Sequence, residues 1–218
     1  MKTRRELVFD LDGTLTDPAE GIGRSINHAL SVCGYSRLEA DAVSTYIGPP
    51  LDRTFRQITG TNSTALIEKL VAAFRERYGE IGFSENVIYP GIPEALDALA
   101  EAGFVLGVCT SKRVDFAERI LELFDIRKHL IFVNGGDVGV DKKHQLESLR
   151  EARVIGASAV MIGDRAVDVH AAKANGLLSV GVLWGHGSHT ELESAGVDHI
   201  LHQVPQLLEL GMKIERET

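Results

Sequence analysis

Short apolar segments alternate with helix-like segments throughout the second half of the chain, from Phe104 to Leu201. Segments such as Val160-Met161-Ile162 are apolar at every position, which favours strands buried on both faces of a sheet. Strands that alternate with helices form parallel sheets with helices on both faces, so we predict an α/β fold. The predicted strands are 104–110, 130–133, 159–162, 178–183 and 199–201, and the predicted helices are 93–101, 114–124, 143–153, 166–175, 190–195 and 205–212.

An all-helical block separates this alternating half from a first strand at 7–9. Its predicted helices run from 18 to about 34 and over 37–46, 52–58 and 63–81, with no strand between Thr16 and Asn86. Leu66, Leu70 and Phe74 recur at helical spacing, and we interpret them as core residues rather than as a groove for a partner. We therefore expect a core of residues 1–15 and 88–218, interrupted by a helical cap at residues 16–87.

Composition and charge argue against some classes of binding partner. The chain has 218 residues, 44% of them hydrophobic, and a formal net charge of -8. This acidic balance argues against a nucleic-acid partner, which requires a basic face. No apolar run is long enough to cross a membrane, and Cys33 and Cys109 are too few for a disulfide framework. We expect a cytoplasmic protein, monomeric or homodimeric, without nucleic-acid or membrane partners.

Two acidic residues, Asp10 and Asp12, directly follow the first strand. Alternate residues of an extended chain project to the same side, so we expect the two carboxylates to lie together. Burying both is unfavourable unless a cation pairs with them, and oxygen ligands of this kind suit Mg²⁺. Taken alone, the motif is equally compatible with a turn, which also favours Asp and Gly.

Three later segments carry polar residues at the same level of the predicted sheet. Thr110-Ser111 ends one strand and can bind phosphate oxygens. Asp164 and Asp168 follow another strand and add carboxylates, and Lys142-Lys143 opens a helix after a Gly-rich loop. Because open α/β sheets bind ligands at the carboxyl ends of their strands, we expect one site there.

These motifs, in this order, resemble those of the haloacid dehalogenase-like superfamily: Asp10-Leu11-Asp12-Gly13-Thr14-Leu15-Thr16-Asp17, a Thr-Ser pair, a lysine, and Gly163-Asp164 followed by Asp168. The resemblance covers essentially the whole chain and is strongest to phosphoglycolate-phosphatase-like members. It implies a Rossmann-like core with a helical cap inserted after the first strand. Ile47-Gly48-Pro49-Pro50-Leu51 resembles a cap loop of those phosphatases.

The resemblance implies a role for each matched acid. Asp10 would be the nucleophile that forms an aspartyl-phosphate, and Asp12 would protonate the leaving oxygen and later activate water. Mg²⁺ would bind the carboxylates of Asp10 and Asp164 and the backbone carbonyl of Asp12, with Asp168 in support.

The resemblance also implies contacts to the phosphoryl group and to the substrate. The Thr110 side chain and the Ser111 N–H would hold phosphoryl oxygens, and a lysine would offset negative charge. Two lysines are adjacent here; we favour Lys142 as the catalytic one and assign Lys143 to substrate binding. The remaining candidate substrate-binding residues belong to the cap: Arg24, Gly48 and Pro49.

Asp12 favours phosphoryl transfer, because the dehalogenases of this superfamily lack an acid at this place. The resemblance thus implies a Mg²⁺-dependent phosphatase for a small phosphorylated metabolite of phosphoglycolate or nucleotide type. Two alternatives stay open: a phosphomutase that passes the phosphoryl group to a sugar, and a binding or regulatory module without catalysis.

Overall fold

The computed structural model describes residues 5–210. The strands are β1 (Glu6–Phe9), β2 (Thr16–Asp17), β3 (Val87–Ile88), β4 (Val105–Thr110), β5 (Leu130–Gly135), β6 (Val160–Gly163), β7 (Leu178–Val182) and β8 (His199–Leu201). Six of them form one parallel sheet in the order β5-β4-β1-β6-β7-β8. The strand order reverses beside β1, so the residues that follow β1 lie where open α/β sheets bind ligands. The predicted α/β fold is confirmed.

Helices cover both faces of this sheet. The described α-helices are α1 (Ala19–Val32), α2 (Leu51–Thr59) and α3 (Thr64–Glu80), which lie between β2 and β3, and α4 (Ile92–Glu101), α5 (Val114–Leu123), α6 (Lys142–Glu151), α7 (Ala166–Ala174) and α8 (His189–Ser194), which alternate with the strands of the sheet. Leu7 and Phe9 join one apolar cluster with side chains of α4 and α5, whereas Val8 joins a second with side chains of α6 and α7. This division follows from the alternation of side chains along a strand.

The predicted boundaries agree with the structure to within two residues except at two helices. The predicted helix at 37–46 is a shorter 3-10 segment, Ala40–Tyr46. The last predicted helix, 205–212, has helical backbone at 206–210, and its remainder lies outside the described residues. None of the described helices combines the length and apolar character that a membrane span requires.

The helical block between β2 and β3 packs around apolar side chains that belong to the same cluster as Leu7 and Phe9 of the sheet. Leu70 and Phe74 of α3 are buried, and Leu66 packs partly buried against the same cluster, which confirms the core interpretation of this stripe. The prediction of no strand between Thr16 and Asn86 is wrong at the start of that range. Thr16–Asp17 form β2, which pairs antiparallel with β3. Strands of two residues are too short to produce a periodic pattern. The division into a core and a cap at residues 16–87 stays a prediction, and we keep the name cap for that range.

Candidate active site

Three carboxylates meet at the carboxyl edge of the sheet. Asp10 follows β1, Asp164 follows β6, and Asp168 lies in the first turn of α7. One oxygen from each of the three lies within 4.8 Å of the other two, and all three side chains are buried. The structure thus brings together acids from two strand ends and one helix.

Lys142 is the lysine that contacts these acids. Its Nζ lies 2.8 Å from Asp10 Oδ2 and 2.5 Å from Asp168 Oδ1, and its side chain is 1% exposed. Although burial lowers it, the pKa of Lys142 is held above its usual range by Asp10 and Asp168, so the side chain stays an ammonium. Lys143 is exposed, and its backbone N–H donates to the Asp141 carboxylate at the start of α6.

The three carboxylates carry more negative charge than one ammonium balances. Burial, with the neighbouring Asp168 and Asp10 carboxylates, raises the pKa of Asp164 to about 8. Burial also raises the pKa of Asp168 to about 6, although Lys142 opposes the shift. Asp164 Oδ2 accepts a 2.8 Å bond from the His186 N–H, whereas Asp164 Oδ1 is buried without a hydrogen-bond partner. An excess of buried carboxylate oxygen of this kind fits a divalent cation.

Asp12 contacts a different lysine, which the sequence analysis left unassigned. Lys112 Nζ lies 3.0 Å from Asp12 Oδ2 and donates a 2.7 Å bond to the Tyr78 hydroxyl of α3. Asp10 and Asp12 thus each contact a lysine of their own, Lys142 for Asp10 and Lys112 for Asp12. Burial raises the pKa of Asp12, with Lys112 opposing the rise, and Asp12 Oδ1 has no hydrogen-bond partner. Asp12 thus has one carboxylate oxygen that accepts no hydrogen bond from the described residues.

The predicted phosphate-binding residues border the same region. Thr110 ends β4 and is buried, and its Oγ1 accepts a 3.3 Å bond from the Lys112 N–H. Ser111, Gly48 and Pro49 line a cleft beside Asp12 between the sheet edge and the cap. These positions agree with contacts to a substrate, and the roles of the individual residues stay predictions.

Arg24 lies apart from this cleft. Its side chain is 57% exposed, and its guanidinium pairs with Glu20 and, at 2.7 Å, with Glu85. Neither acid lines the cleft, so the predicted substrate contact of Arg24 has no support from its position. A different arginine connects the acidic site to the cap: Arg165 donates from its terminal nitrogen to the Ile47 carbonyl at 2.5 Å.

Comparison with known proteins agrees with this geometry. Residues 7–182 match the haloacid dehalogenase-like hydrolase family. A 5'-nucleotidase of Pseudomonas aeruginosa is 38% identical over 88% of this chain and 89% of its own length. A phosphoglycolate phosphatase of Vibrio parahaemolyticus is 32% identical over 94% of both chains. The structure of protein tyrosine kinase A (PtkA) of Mycobacterium tuberculosis superposes with a TM-score of 0.82 at 34% identity, over 97% of this chain and 99% of that chain. The chain therefore belongs to the haloacid dehalogenase-like hydrolase family and is a phosphatase.

Proposed function

We propose that this phosphatase hydrolyses a small phosphorylated metabolite, of nucleotide or phosphoglycolate type, with Mg²⁺ bound beside Asp10 and with Asp10 as the nucleophile. The observation that carries the proposal is the buried contact between Asp10, Lys142 and Asp168, with Asp164 within 4.8 Å. A carboxylate that is fixed at a strand end and flanked by an ammonium can attack phosphorus without further reorganisation.

The acidic cluster fits the metal that the family implies. Asp10, Asp164 and Asp168 would hold the ion, because their buried oxygens exceed what Lys142 neutralises and Asp164 Oδ1 lacks a partner. Mg²⁺ would supply the positive charge that lets an anionic carboxylate approach an anionic phosphoryl group. The Asp12 backbone carbonyl is proposed as a further ligand on the family resemblance alone.

The side chains then divide the reaction into two steps. Asp10 attacks phosphorus while the bond to the leaving oxygen breaks and Asp12 Oδ1 gives that oxygen a proton. Water next attacks the aspartyl-phosphate, with Asp12 taking one of its protons, and phosphate and free Asp10 are released. Thr110 and the Ser111 N–H hold the phosphoryl oxygens through both steps.

A panel of phosphorylated metabolites tests the proposed function. We expect inorganic phosphate to be released in buffer with Mg²⁺ and the release to stop when EDTA is added, because the acidic cluster would then lack its cation. Release that continues unchanged in EDTA would contradict the metal assignment. Formation of an isomeric sugar phosphate, in place of inorganic phosphate, would favour the phosphomutase alternative.

The pKa of Asp164 predicts how Mg²⁺ binding depends on pH. Since this pKa is raised to about 8, a proton occupies the carboxyl at lower pH and competes with the ion. Apparent Mg²⁺ affinity should fall about tenfold per pH unit below about 8. Without metal, the folded state binds this proton more tightly than the unfolded state, so the free energy of unfolding should decrease as pH rises from about 4 to about 8.

Thermal unfolding with and without Mg²⁺ measures this effect. The increase in melting temperature caused by Mg²⁺ should be larger at about pH 8 than at about pH 6. Asp164→Asn, which keeps the shape of the side chain but removes its charge, should abolish the difference between the two pH values. An equal Mg²⁺ shift at both pH values in the unmodified protein would refute the assignment of Asp164 as a ligand.

A further inference from the structure

The cleft beside Asp12 has mainly apolar and aromatic walls. Its apolar lining includes Ile22, Tyr46, Leu51, Phe74, Tyr78 and Phe116. Phe74 and Tyr78 stack with ring centroids 5.3 Å apart, and Phe116 meets Tyr78 edge-on at 5.2 Å. Such walls bind a flat apolar group through contact area and ring packing.

The cationic side chains of the same cleft are already paired with acids of this chain. The pairs are Lys112 with Asp12 (Nζ to Oδ2, 3.0 Å), Arg75 with Asp137, and Arg113 with Asp115 (Nε to Oδ1, 2.8 Å). A substrate with its own carboxylate would have to displace one of these acids or enter without a partner. The Lys112–Asp12 pair is buried, with side chains 7% and 11% exposed, so displacing Asp12 or burying a substrate carboxylate without a partner beside it is strongly disfavoured.

One donor of these cations lacks a hydrogen-bond partner. Arg75 Nε is buried without a hydrogen-bond partner, although the guanidinium contacts Asp137 through a terminal nitrogen. A neutral acceptor, such as a carbonyl or ring nitrogen, can satisfy this N–H without breaking the ion pair. The cleft therefore combines an apolar surface with a hydrogen-bond donor and has no unpaired cation along its described lining.

We infer that the substrate is a phosphate monoester of a neutral, ring-bearing alcohol, and that phosphorylated carboxylic acids are poor substrates. This inference rests on the proposed function and decides between the two substrate types named there. The leaving group lies against the wall formed by Phe74, Tyr78 and Phe116, with its oxygen toward Asp12. A two-carbon acid has no ring to place against this wall, whereas an aromatic or heteroaromatic ring can pack on it.

Three phosphate esters of primary alcohols test the inference, because their leaving oxygens are chemically similar. The esters are benzyl phosphate, uridine 5'-monophosphate and 2-phosphoglycolate. We expect kcat/KM for the two ring-bearing esters to exceed that for 2-phosphoglycolate by about 100-fold. A preference for 2-phosphoglycolate, or for a hydroxyl-rich ester such as glucose 6-phosphate, would overturn the inference.

Asp137→Asn tests the reason for this preference. The substitution releases Arg75 from its ion pair, while an amide oxygen can still accept the bond that Asp137 Oδ1 receives from the Val138 N–H. The ratio of kcat/KM for benzyl phosphate to that for 2-phosphoglycolate should fall about tenfold, because the freed cation can bind a carboxylate. Asp125→Asn breaks an exposed pair with Lys128 and should leave the ratio unchanged. An unchanged ratio in Asp137→Asn would contradict the charge argument.

Binding to the Asp10→Asn protein separates failure of this inference from failure of the proposed function. If none of the esters is hydrolysed by the unmodified enzyme, the proposed function is wrong. Calorimetric titration of Asp10→Asn with benzyl phosphate and with 2-phosphoglycolate, in Mg²⁺, still measures the preference of the cleft. Tighter binding of benzyl phosphate supports the inference, and equal or weaker binding refutes it.

Discussion

Asp10→Asn is expected to lower kcat for phosphomonoester hydrolysis by about 10⁴-fold or more, with little change in the fold. The amide cannot form the acyl phosphate, so the first step loses its nucleophile. Lys142 keeps its contact with Asp168, which means that the variant does not leave a buried ammonium without a partner. Initial rates of phosphate release and far-UV circular dichroism measure the two effects.

The same substitution should leave the metal-free protein at least as stable as the original. Asp10, Asp164 and Asp168 crowd three buried carboxylates around one ammonium, and removing one relieves their repulsion. Binding sites are commonly built at the expense of stability in this way. Glu20→Gln, at an exposed acid of α1, is the control and should change neither the rate of phosphate release nor the stability of the protein. Activity of Asp10→Asn within tenfold of the original would rule out Asp10 as the nucleophile.

Lys142→Met is expected to destabilise the metal-free protein by about 3–5 kcal/mol and to remove activity. The methionine fills a similar volume, but Asp10 and Asp168 would then stay buried without the ammonium that lies 2.8 and 2.5 Å from them. Activity is lost because Asp10 is no longer oriented and its charge is no longer offset. Chemical denaturation and phosphate release are the measurements.

Two further variants make this second result interpretable. Lys143→Met alters the adjacent, exposed lysine and should leave the denaturation midpoint unchanged. The double variant Lys142→Met/Asp168→Asn should recover part of the lost stability, since one uncompensated carboxylate is gone, without recovering activity. A Lys142→Met protein that unfolds like the original would show that the buried ion cluster contributes little to folding.

The overall fold could be predicted from the sequence because the patterns that indicate each strand and helix lie within short segments of the chain. Each parallel strand is a short apolar segment, and each connecting helix has its own periodicity, so element types could be predicted from windows of a few residues. The pairing of β2 with β3 was missed, since it joins segments that are far apart in the chain and only two residues long. The 3-10 geometry of Ala40–Tyr46 was missed because that segment has a helix-like composition.

The acidic cluster was also predictable, because its members occur in short motifs at strand ends. Lys112 was not assigned, although it directly follows Thr110 and Ser111 at the end of β4. Its partner Tyr78 lies 34 residues earlier, on a stripe of α3 that was interpreted as core only. Periodicity reports that a side chain is buried, but it does not report which neighbour it contacts. The position of Arg24 against Glu85 escaped prediction for the same reason.

The pairing of β2 with β3 also has a mechanical consequence. Both passages of the chain between the sheet and the cap run through this two-stranded ribbon, and Asp12 is bridged to Thr16 at its base. A ribbon held by cross-strand hydrogen bonds resists stretching, whereas it accommodates twist readily. We therefore expect the cap to rotate about this two-stranded ribbon rather than to move away from the sheet by translation. Such a rotation would leave Asp12 with the sheet and would break the 2.7 Å bond between Lys112 Nζ and the Tyr78 hydroxyl.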